Sequence, residues 1–585
     1  MDTHYTDEKN TQIVLGLLKA HGIKKVIASP GTTNIRLVAS MQQDSFFEMY
    51  SAADERSAAY IACGLAAETG EPVVLSCTGA TASRNYVPGL TEAFYRKLPI
   101  LAITSTQHMG RVGQNIAQVL DRSIQQKDIV KLSVQLPTCH TKEDEWACNV
   151  QVNRAILELT HKGGGPVHIN LETTYSRNFS IEKLSDVFPI YRIGYKGDMP
   201  EISKGNIGVF VGAHTKWTQD LTYTVDKFCE KYNAVVLCDH TSNYHGKYRV
   251  LFSLVTSQDK YWAKCNKFDL LIHIGDISGA YPAFHSQKEW RVNPDGEIRD
   301  TFQHLNYVFE MEEKDFFSYY VQHGVAAEVE DNFLELWKKE DYEIRSLLPE
   351  FPFSNIWMAE YTAKKLPENS ILHLGILNSL RSWNFFEIPE SIEVSCNTGG
   401  FGIDGILSSA IGAALGKPDS IVFCVIGDLA FFYDMNSLGN RHIKNNIRIL
   451  LINNGRGTEF RNYNHPGAQF GEDADAFVAA AGHYGAKSDN LVKHYVTDLG
   501  FEYLAAFNKE EYIEKLERFL MEGLTERPMV LEVFTDWKDE SAALKDIRNI
   551  VCSPNVKIKE NIRSTVKSIV GEKSYNALKK IAGKL

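Results

Sequence analysis

The sequence has no apolar run that approaches the roughly 18 residues needed to span a membrane. Its ten cysteines form no C-x-x-C pair and no metal-ligand spacing, which favours reduced thiols in a cytoplasmic protein. It has no excess of positive charge, and the formal net charge of −11 disfavours nucleic acid as the main partner. The polar, acidic N-terminal residues predict no signal peptide. With 44% hydrophobic and 23% charged residues, the composition predicts a soluble globular protein.

The chain also lacks a G-x-G-x-x-G or P-loop pattern after its first predicted strand, which disfavours a nucleotide-binding α/β protein. At 585 residues it is too long for one core, so three or four domains are expected. Short apolar runs alternate with helical segments, which predicts parallel sheets. The predicted strands are Val26–Ala28, Val73–Cys77, Ile100–Thr104, Val167–Leu171, Ile207–Val211, Ala234–Cys238, Leu270–Ile274, Ile371–Leu374, Ile421–Ile426, Ile447–Ile452 and Met529–Phe534.

Two of these strands end in turns that carry oxygen ligands. Gly427-Asp428 closes one apolar run, and Asn453-Asn454 closes the next one along the chain. Buried parallel strands place such turns together at the carboxyl edge of a sheet. There Asp428 and Asn454 can hold a hard divalent cation, which can in turn hold a diphosphate. Taken alone, the two turns have even odds of being purely structural.

A second set of motifs lies near the N-terminus. Ser29-Pro30-Gly31 follows the first predicted strand, and Asp54-Glu55-Arg56-Ser57-Ala58-Ala59 opens a helix that Gly70 and Pro72 end. The strand that follows runs into Thr78-Gly79-Ala80-Thr81-Ala82. In this order the two motif sets resemble those of the thiamine diphosphate (ThDP) enzymes, over about residues 10–540.

The resemblance implies an α/β fold of three doubly wound parallel-sheet domains. They are a pyrimidine-binding domain at 1–185, a middle Rossmann-like domain at 186–350 and a diphosphate-binding domain at 351–545, followed by a basic amphipathic tail at 546–585. It also implies ThDP and Mg²⁺ as cofactors. The active site would lie between subunits of a homodimer, or of a homotetramer built from two dimers. The middle domain shows no specific FAD signature.

The resemblance assigns roles to residues in both motif sets. Glu55 would hydrogen-bond pyrimidine N1' of the cofactor and so promote loss of the proton at thiazolium C2. The alternative is an ordinary first-turn glutamate beside Arg56. Mg²⁺ would be bound by the side chains of Asp428 and Asn454 and by the backbone carbonyl of Arg456. The cofactor-binding residues would be Gly402, Ile403, Asp404, Gly427, Asp428, Leu429, Ala430 and Asn454.

Some of these residues have structural alternatives. Ile403 would be the apolar wedge that keeps the cofactor bent, but an isoleucine before a helix is usually core. Asp428 could instead cap a helix that starts near Phe431. Gln118 best matches the family's active-site glutamine and Gln114 is second, although both could be surface residues. His108 lies nearby as a candidate acid/base, and a lone histidine more often has a structural role.

Gly-Asp-Leu in place of Gly-Asp-Gly, together with Asn378-Ser379-Leu380, looks closest to the branch that contains the menaquinone-pathway SEPHCHC synthase. That enzyme decarboxylates 2-oxoglutarate and adds the product to isochorismate. Several of its substrate arginines are missing, since Thr33, Thr398 and Trp383 stand in their places, although Arg381 is close by. Bidentate charged contacts are hard to replace, so we expect less anionic substrates.

The predicted activity is decarboxylation of a 2-oxo acid and transfer of the resulting acyl-anion equivalent to an acceptor. One alternative is a simple decarboxylase that releases an aldehyde, although the His-His pair common in such enzymes is missing. Another is a non-catalytic relative, which would be expected to have lost Glu55 or the metal pair.

The C-terminal 40 residues or so stand apart. The segment from Val556 onward contains eight basic residues and only two acidic ones, and its apolar residues recur at helical spacing. The tail could lie on an anionic membrane surface as a basic amphipathic segment. The alternative, which we favour, is a surface helix packed on the body or on a neighbouring subunit.

Overall fold

The computed structural model describes residues 4–214, 217–326 and 332–553. The chain divides into two compact units. The first contains Met1–Met199 and Lys288–Met311, and the second contains Pro200–Gln287 and Glu312–Leu585. The predicted boundaries of three domains and a tail stay a prediction, and the basic part of the tail lies outside the described residues.

The strands come mostly from the short apolar runs. In chain order they are β1 (Lys25–Ala28), β2 (Glu48–Ser51), β3 (Val73–Thr78), β4 (Ile100–Thr106), β5 (Leu132–Leu136), β6 (Val167–Glu172), β7 (Tyr191–Gly194), β8 (Ile207–Val211), β9 (Ala234–Cys238), β10 (Arg249–Leu251), β11 (Lys267–Phe268), β12 (Leu270–Ile274), β13 (His285–Ser286), β14 (Glu289–Val292), β15 (Leu305–Glu310), β16 (Ile371–Leu374), β17 (Glu393–Ser395), β18 (Val422–Gly427), β19 (Ile447–Asn453), β20 (Glu502–Ala506) and β21 (Met529–Phe534).

The helices fall between the strands, as expected for crossover connections. They are α1 (Lys9–Ala20), α2 (Ile35–Gln42), α3 (Glu55–Thr69), α4 (Thr81–Asn85), α5 (Val87–Arg96), α6 (Lys142–Glu158), α7 (Gln219–Tyr232), α8 (Ser253–Thr256), α9 (Glu313–His323), α10 (Phe333–Arg345), α11 (Asn355–Thr362), α12 (Asn378–Trp383), α13 (Ile406–Gly416), α14 (Asp428–Asp434), α15 (Leu491–Asp498), α16 (Lys509–Phe519) and α17 (Trp537–Ile547). No helix of the described residues is long and apolar enough to cross a bilayer.

The main sheet of the first unit has six parallel strands in the order β2-β1-β3-β4-β6-β5. Apolar side chains of α1, α6 and the central strands pack on one face of this sheet, and those of α3 and α5 pack on the other. The first unit also contains the parallel strands β14-β15-β7. Helices on both faces make the six-stranded sheet of this unit doubly wound.

The second unit contains two groups of parallel strands. Its N-terminal part has the order β10-β9-β8-β12. Its C-terminal part is a six-stranded sheet in the order β17-β16-β18-β19-β21-β20. In that sheet the chain order reverses between β16 and β18, and ligands of such sheets bind in the crevice beyond the carboxyl ends of the strands at the reversal. The predicted α/β class with several parallel sheets is confirmed.

Helix α3 shows how local sequence sets the start and end of an element. The Asp54 carboxylate accepts the backbone N–H of Arg56 at 2.9 Å and so caps the helix. Gly70 ends it with a φ of +70°, a left-handed conformation that glycine adopts at low cost. The helix therefore runs over Glu55–Thr69, as the sequence predicts.

Candidate active site

Asp428 is the first residue of α14, directly after the buried strand β18. Its side chain is buried, with the residue only 5% exposed. Burial raises the pKa of this carboxyl to about 7, while the backbone amides of Leu429, Gly455 and Arg456 hydrogen-bond it and lower the pKa. The alternative of a capping residue for a helix near Phe431 is wrong, because the helix begins at Asp428 itself.

The loop after β19 meets Asp428 at the same edge of the sheet, since the Gly455 and Arg456 amides contact its carboxylate. In this loop Oδ1 of Asn454 accepts the Thr458 hydroxyl at 2.6 Å. The neighbouring Asn453 is buried in β19. Its amide donates to Glu532 at 2.7 Å. Asn453 is thus held by the sheet, and Asn454 is the amide available at the edge.

These groups fit an oxygen-ligated divalent cation. Among the described residues no Lys, Arg or His side chain forms an ion pair with Asp428. A cation would therefore supply the opposite charge that this buried carboxylate lacks. No cluster of three or more His, Cys, Asp or Glu suited to a metal occurs within the described ranges, whereas the predicted ligand set contains one carboxylate, one amide and one backbone carbonyl.

The first turn of α14 contains Leu429 and Ala430, with Gly427 just before it. The Leu429 N–H donates to Asp428 Oδ1 at 2.9 Å. The backbone amides at the start of a helix suit an anion, so a diphosphate held by the cation would lie against this turn. The role of Gly427, Leu429 and Ala430 toward a diphosphate stays a prediction.

The segment Gly402–Gly405 forms the turn before α13, in the same unit as Asp428. Gly405 has a φ of +74°. A Cβ at Gly402 would lie 2.3 Å from Asp404 Oδ1, a contact that the exposed Asp404 side chain can relieve by rotating. Ile403 is half-buried and Asp404 is exposed. The roles of Ile403 and Asp404 toward the cofactor stay a prediction.

Glu55 lies in the first unit, as the first residue of α3. It is half-buried, and its Oε2 is 3.5 Å from the amide nitrogen of Asn85 at the end of α4. A partly buried carboxylate at a helix N-terminus can accept or share a proton with a ligand. Asn85 could not be predicted from the sequence, because its contact with Glu55 arises only when the two helices pack.

Gln118, Gln114 and His108 lie in the irregular segment after β4, and all three are exposed. Gln118 has a φ of +63°, an unusual conformation for a residue other than glycine that occurs often at functional sites. The His108 Nδ1 accepts the Gly110 N–H at 3.1 Å. That bond gives His108 a structural role, and an acid/base role stays a prediction.

A buried carboxylate that the sequence did not single out lies near Asp428. Glu540 in α17 accepts the Asn355 N–H at 3.1 Å and the Thr535 hydroxyl at 2.8 Å. Burial raises the pKa of Glu540 to about 7, and the charge of Asp428 adds to that rise. Its position, about 110 residues from Asp428 in the sequence, gave no local signal.

Two family models match the chain. Residues 9–128 match "Thiamine pyrophosphate enzyme, N-terminal TPP binding domain". Residues 381–533 match "Thiamine pyrophosphate enzyme, C-terminal TPP binding domain". Thiamine pyrophosphate is another name for ThDP. The first match contains Glu55 and the second contains Asp428 and Asn454, so the predicted cofactor residues fall within the matched regions.

Curated relatives match almost the whole chain. The 2-succinyl-5-enolpyruvyl-6-hydroxy-3-cyclohexene-1-carboxylate synthase of Bacteroides thetaiotaomicron is 32% identical and covers 93% of this chain and 98% of its own length. The enzyme of the same name from Phocaeicola vulgatus is also 32% identical, with 93% and 98% coverage. The solved Rhodococcus jostii RHA1 ThDP-dependent 4-hydroxybenzoylformate decarboxylase is similar at 15% identity and a TM-score of 0.38, over 90% of this chain and 99% of its own.

Proposed function

Because the chain belongs to the ThDP-dependent enzymes, we propose that it is a Mg²⁺-dependent synthase that decarboxylates a 2-oxo acid and transfers the acyl unit to an acceptor. The observation that carries this proposal is the contact of the buried Asp428 carboxylate with the amides of the Asn454 loop. The relatives are named as synthases of a succinyl-bearing product, which supports transfer rather than decarboxylation alone.

The residues of the second unit would hold the cofactor. Asp428 and Asn454 would bind Mg²⁺ through side-chain oxygens, and Arg456 would bind it through its backbone carbonyl. The amides of Leu429 and Ala430 would contact the diphosphate. Bound ThDP supplies a nucleophilic carbon and an electron sink for the loss of CO₂ from a 2-oxo acid.

In the first unit, Glu55 would hold a proton at pyrimidine N1'. Gln118 would contact the reacting groups. In this family the glutamate of one chain faces the diphosphate domain of another, so we infer a homodimer, or a homotetramer of two dimers. All ten cysteines lie in the described part of the chain and are free thiols there, which supports a cytoplasmic location.

The direct test is reconstitution followed by a substrate screen. ThDP with Mg²⁺ is expected to raise the melting temperature, whereas NAD, FAD and ATP are not, because only a ligand that binds the folded state stabilises it. CO₂ release is then measured for a panel of 2-oxo acids with and without candidate acceptors. Release that requires an acceptor supports a synthase, and release without one supports a decarboxylase. The absence of a ThDP shift would refute the proposal.

A further inference from the structure

A small cavity lies beside α12 in the second unit, with a volume of about 70 Å³. Leu377, Arg381 and Asn384 contribute to its wall. This stretch follows β16, and the Gly375 N–H donates to the Val425 carbonyl of β18 at 2.7 Å. Since β18 leads directly into Asp428, the cavity lies at the same sheet edge as the predicted metal ligands.

The wall contains two charged side chains, Arg381 and Arg548, and both are already paired. Arg381 donates two hydrogen bonds of 2.9 Å to the Glu459 carboxylate. Arg548 lies 2.8 Å from Asp259. A substrate carboxylate entering here would lose its hydration without gaining an unpaired cation. The charge balance of the wall therefore favours an uncharged group.

Two polar side-chain atoms of the wall have no partner within the described residues, namely the Ser253 hydroxyl oxygen and the Asn384 amide nitrogen. Asn384 is only 1% exposed, and its Oδ1 accepts the His240 N–H at 2.9 Å, which fixes the orientation of the amide. The Nδ2 of Asn384 then has no acceptor in the described part of the chain. A buried N–H without an acceptor is unfavourable, so this donor points to an oxygen on a ligand.

Two other wall residues have strained backbones. Leu377 has a φ of +69° and Phe401 a φ of +55°, in the left-handed region that bulky side chains rarely adopt. Strain of this kind persists where the surrounding structure enforces it, and it clusters at sites that bind ligands. The strain is independent of the unpaired amide, and both occur in the wall of one cavity.

We propose that this cavity binds a short, uncharged, oxygen-bearing side chain of the 2-oxo acid, with Asn384 donating a hydrogen bond to its oxygen. The inference rests on the proposed function and adds the substrate class. A cavity of about 150 Å³ holds benzene, so a cavity of 70 Å³ fits a group of a few heavy atoms.

The test uses the full-length protein with ThDP and Mg²⁺ and three probe acids. Hydroxypyruvate bears a short side chain with a hydroxyl, 2-oxobutyrate is its isostere with a methyl in place of that hydroxyl, and 2-oxoglutarate is charged. We expect kcat/KM for CO₂ release to be highest for hydroxypyruvate and at least about tenfold lower for 2-oxoglutarate.

Asn384→Ala should lower kcat/KM about tenfold for hydroxypyruvate and change it less than about twofold for 2-oxobutyrate. Asn384→Asp keeps the side-chain oxygen that accepts the His240 N–H, but at pH 8.5 it has no side-chain N–H to donate. It should therefore show the same selective loss of kcat/KM for hydroxypyruvate. Glu459→Gln should raise kcat/KM for 2-oxoglutarate about tenfold, since it leaves Arg381 without its carboxylate. Asn445→Ala, a half-buried amide outside the cavity, is the matched control and should change none of these values.

Several results would overturn the inference. They are a wild-type preference for 2-oxoglutarate, an equal effect of Asn384→Ala and Asn384→Asp on both isosteres, and no CO₂ release from any of the three acids. If ThDP with Mg²⁺ still raises the melting temperature, any of these results overturns only the inference about the cavity. If ThDP no longer raises the melting temperature, the proposed function is overturned as well.

Discussion

The hydroxyl of Thr458 donates a 2.6 Å hydrogen bond to Oδ1 of Asn454, the atom predicted to bind Mg²⁺. Thr458 lies four residues after Asn454 and is 3% exposed. An amide oxygen has two lone pairs, so this bond holds Oδ1 in place and leaves one lone pair for a cation. Thr458 is therefore positioned to orient this predicted metal ligand.

We expect Thr458→Val to weaken Mg²⁺ binding by about tenfold or more, because groups that orient a ligand contribute strongly to metal affinity. Thr458→Ser keeps the hydroxyl and is the matched control. The measurement is a Mg²⁺ titration of ThDP binding by calorimetry. Equal Mg²⁺ affinities in the wild type and in Thr458→Val would contradict this role.

The sequence predicted the inner strands of both six-stranded sheets well. Strands such as β3, β18 and β19 are mostly apolar because both of their faces are covered. The missed strands, β2, β5, β17 and β20, are the outermost strands of these sheets. Most of their residues are only partly buried, so they lack a long apolar run, and single-sequence patterns do not separate them from loops.

The residues of the candidate site also fall into a group that the sequence predicts and a group that it does not. Asp428 and Asn454 could be predicted because each directly follows a buried strand, and parallel strands bring their carboxyl ends to one edge. Asn85, Thr458 and Glu540 could not, because each acts through a packing contact or hydrogen bond that no motif encodes. Motif spacing thus predicts the candidate cofactor ligands, whereas their neighbours Asn85, Thr458 and Glu540 are brought to them only by tertiary packing.

We expect Asp428→Asn to abolish Mg²⁺-dependent ThDP retention, since it replaces the predicted anionic ligand with a neutral isostere. ThDP that remains bound after gel filtration in Mg²⁺ is the measurement. Asp419→Asn, an exposed aspartate at the other end of β18, is the control and should retain ThDP like the wild type. If Asp428→Asn retains as much ThDP as the wild type, Asp428 is not a ligand of the metal.

Glu540 predicts a pH dependence of stability. Burial raises the pKa of its carboxyl to about 7, from an ordinary value of 4.5. Between these values the folded state holds a proton that the unfolded chain releases, so the free energy of unfolding falls as pH rises. Glu540→Gln should remove the part of this loss that Glu540 contributes, and so stabilise the apoprotein at pH 8 by at most about 3 kcal/mol.

Denaturant unfolding of the apoprotein in EDTA at pH 5 and pH 8 measures the effect of Glu540. Glu517→Gln, an exposed glutamate on α16, is the control and should show the pH dependence of the wild type. A Glu540→Gln protein that loses as much stability as the wild type between the two pH values would show that Glu540 is already ionised at pH 5.

We expect Glu55→Gln and Glu55→Ala to lower turnover by at least about 100-fold while ThDP binding stays measurable, because the proton at N1' would lose its partner. Steady-state CO₂ release and ThDP affinity are measured separately. Glu68→Gln, an exposed glutamate near the end of the same helix, is the control. Near-normal turnover in the Glu55 variants would refute the catalytic role.

A mixing experiment tests whether the active site is shared between chains. Glu55→Ala and Asp428→Ala proteins should each be inactive as homodimers. If Glu55 of one chain and Asp428 of another belong to the same active site, each mixed dimer contains one intact site and one site that lacks both residues. Random mixing of equal amounts should then restore roughly a quarter of wild-type activity, because half of the dimers are mixed and half of their sites work.

Subunits are exchanged by mild denaturation and refolding of the two variants together, and CO₂ release is measured after ThDP and Mg²⁺ are added. The separately refolded variants, combined just before the assay, are the control and should stay inactive. If both residues of a site came from one chain, no mixed dimer would contain an intact site. Activity would then stay at the level of the single variants, which would exclude a site shared between subunits.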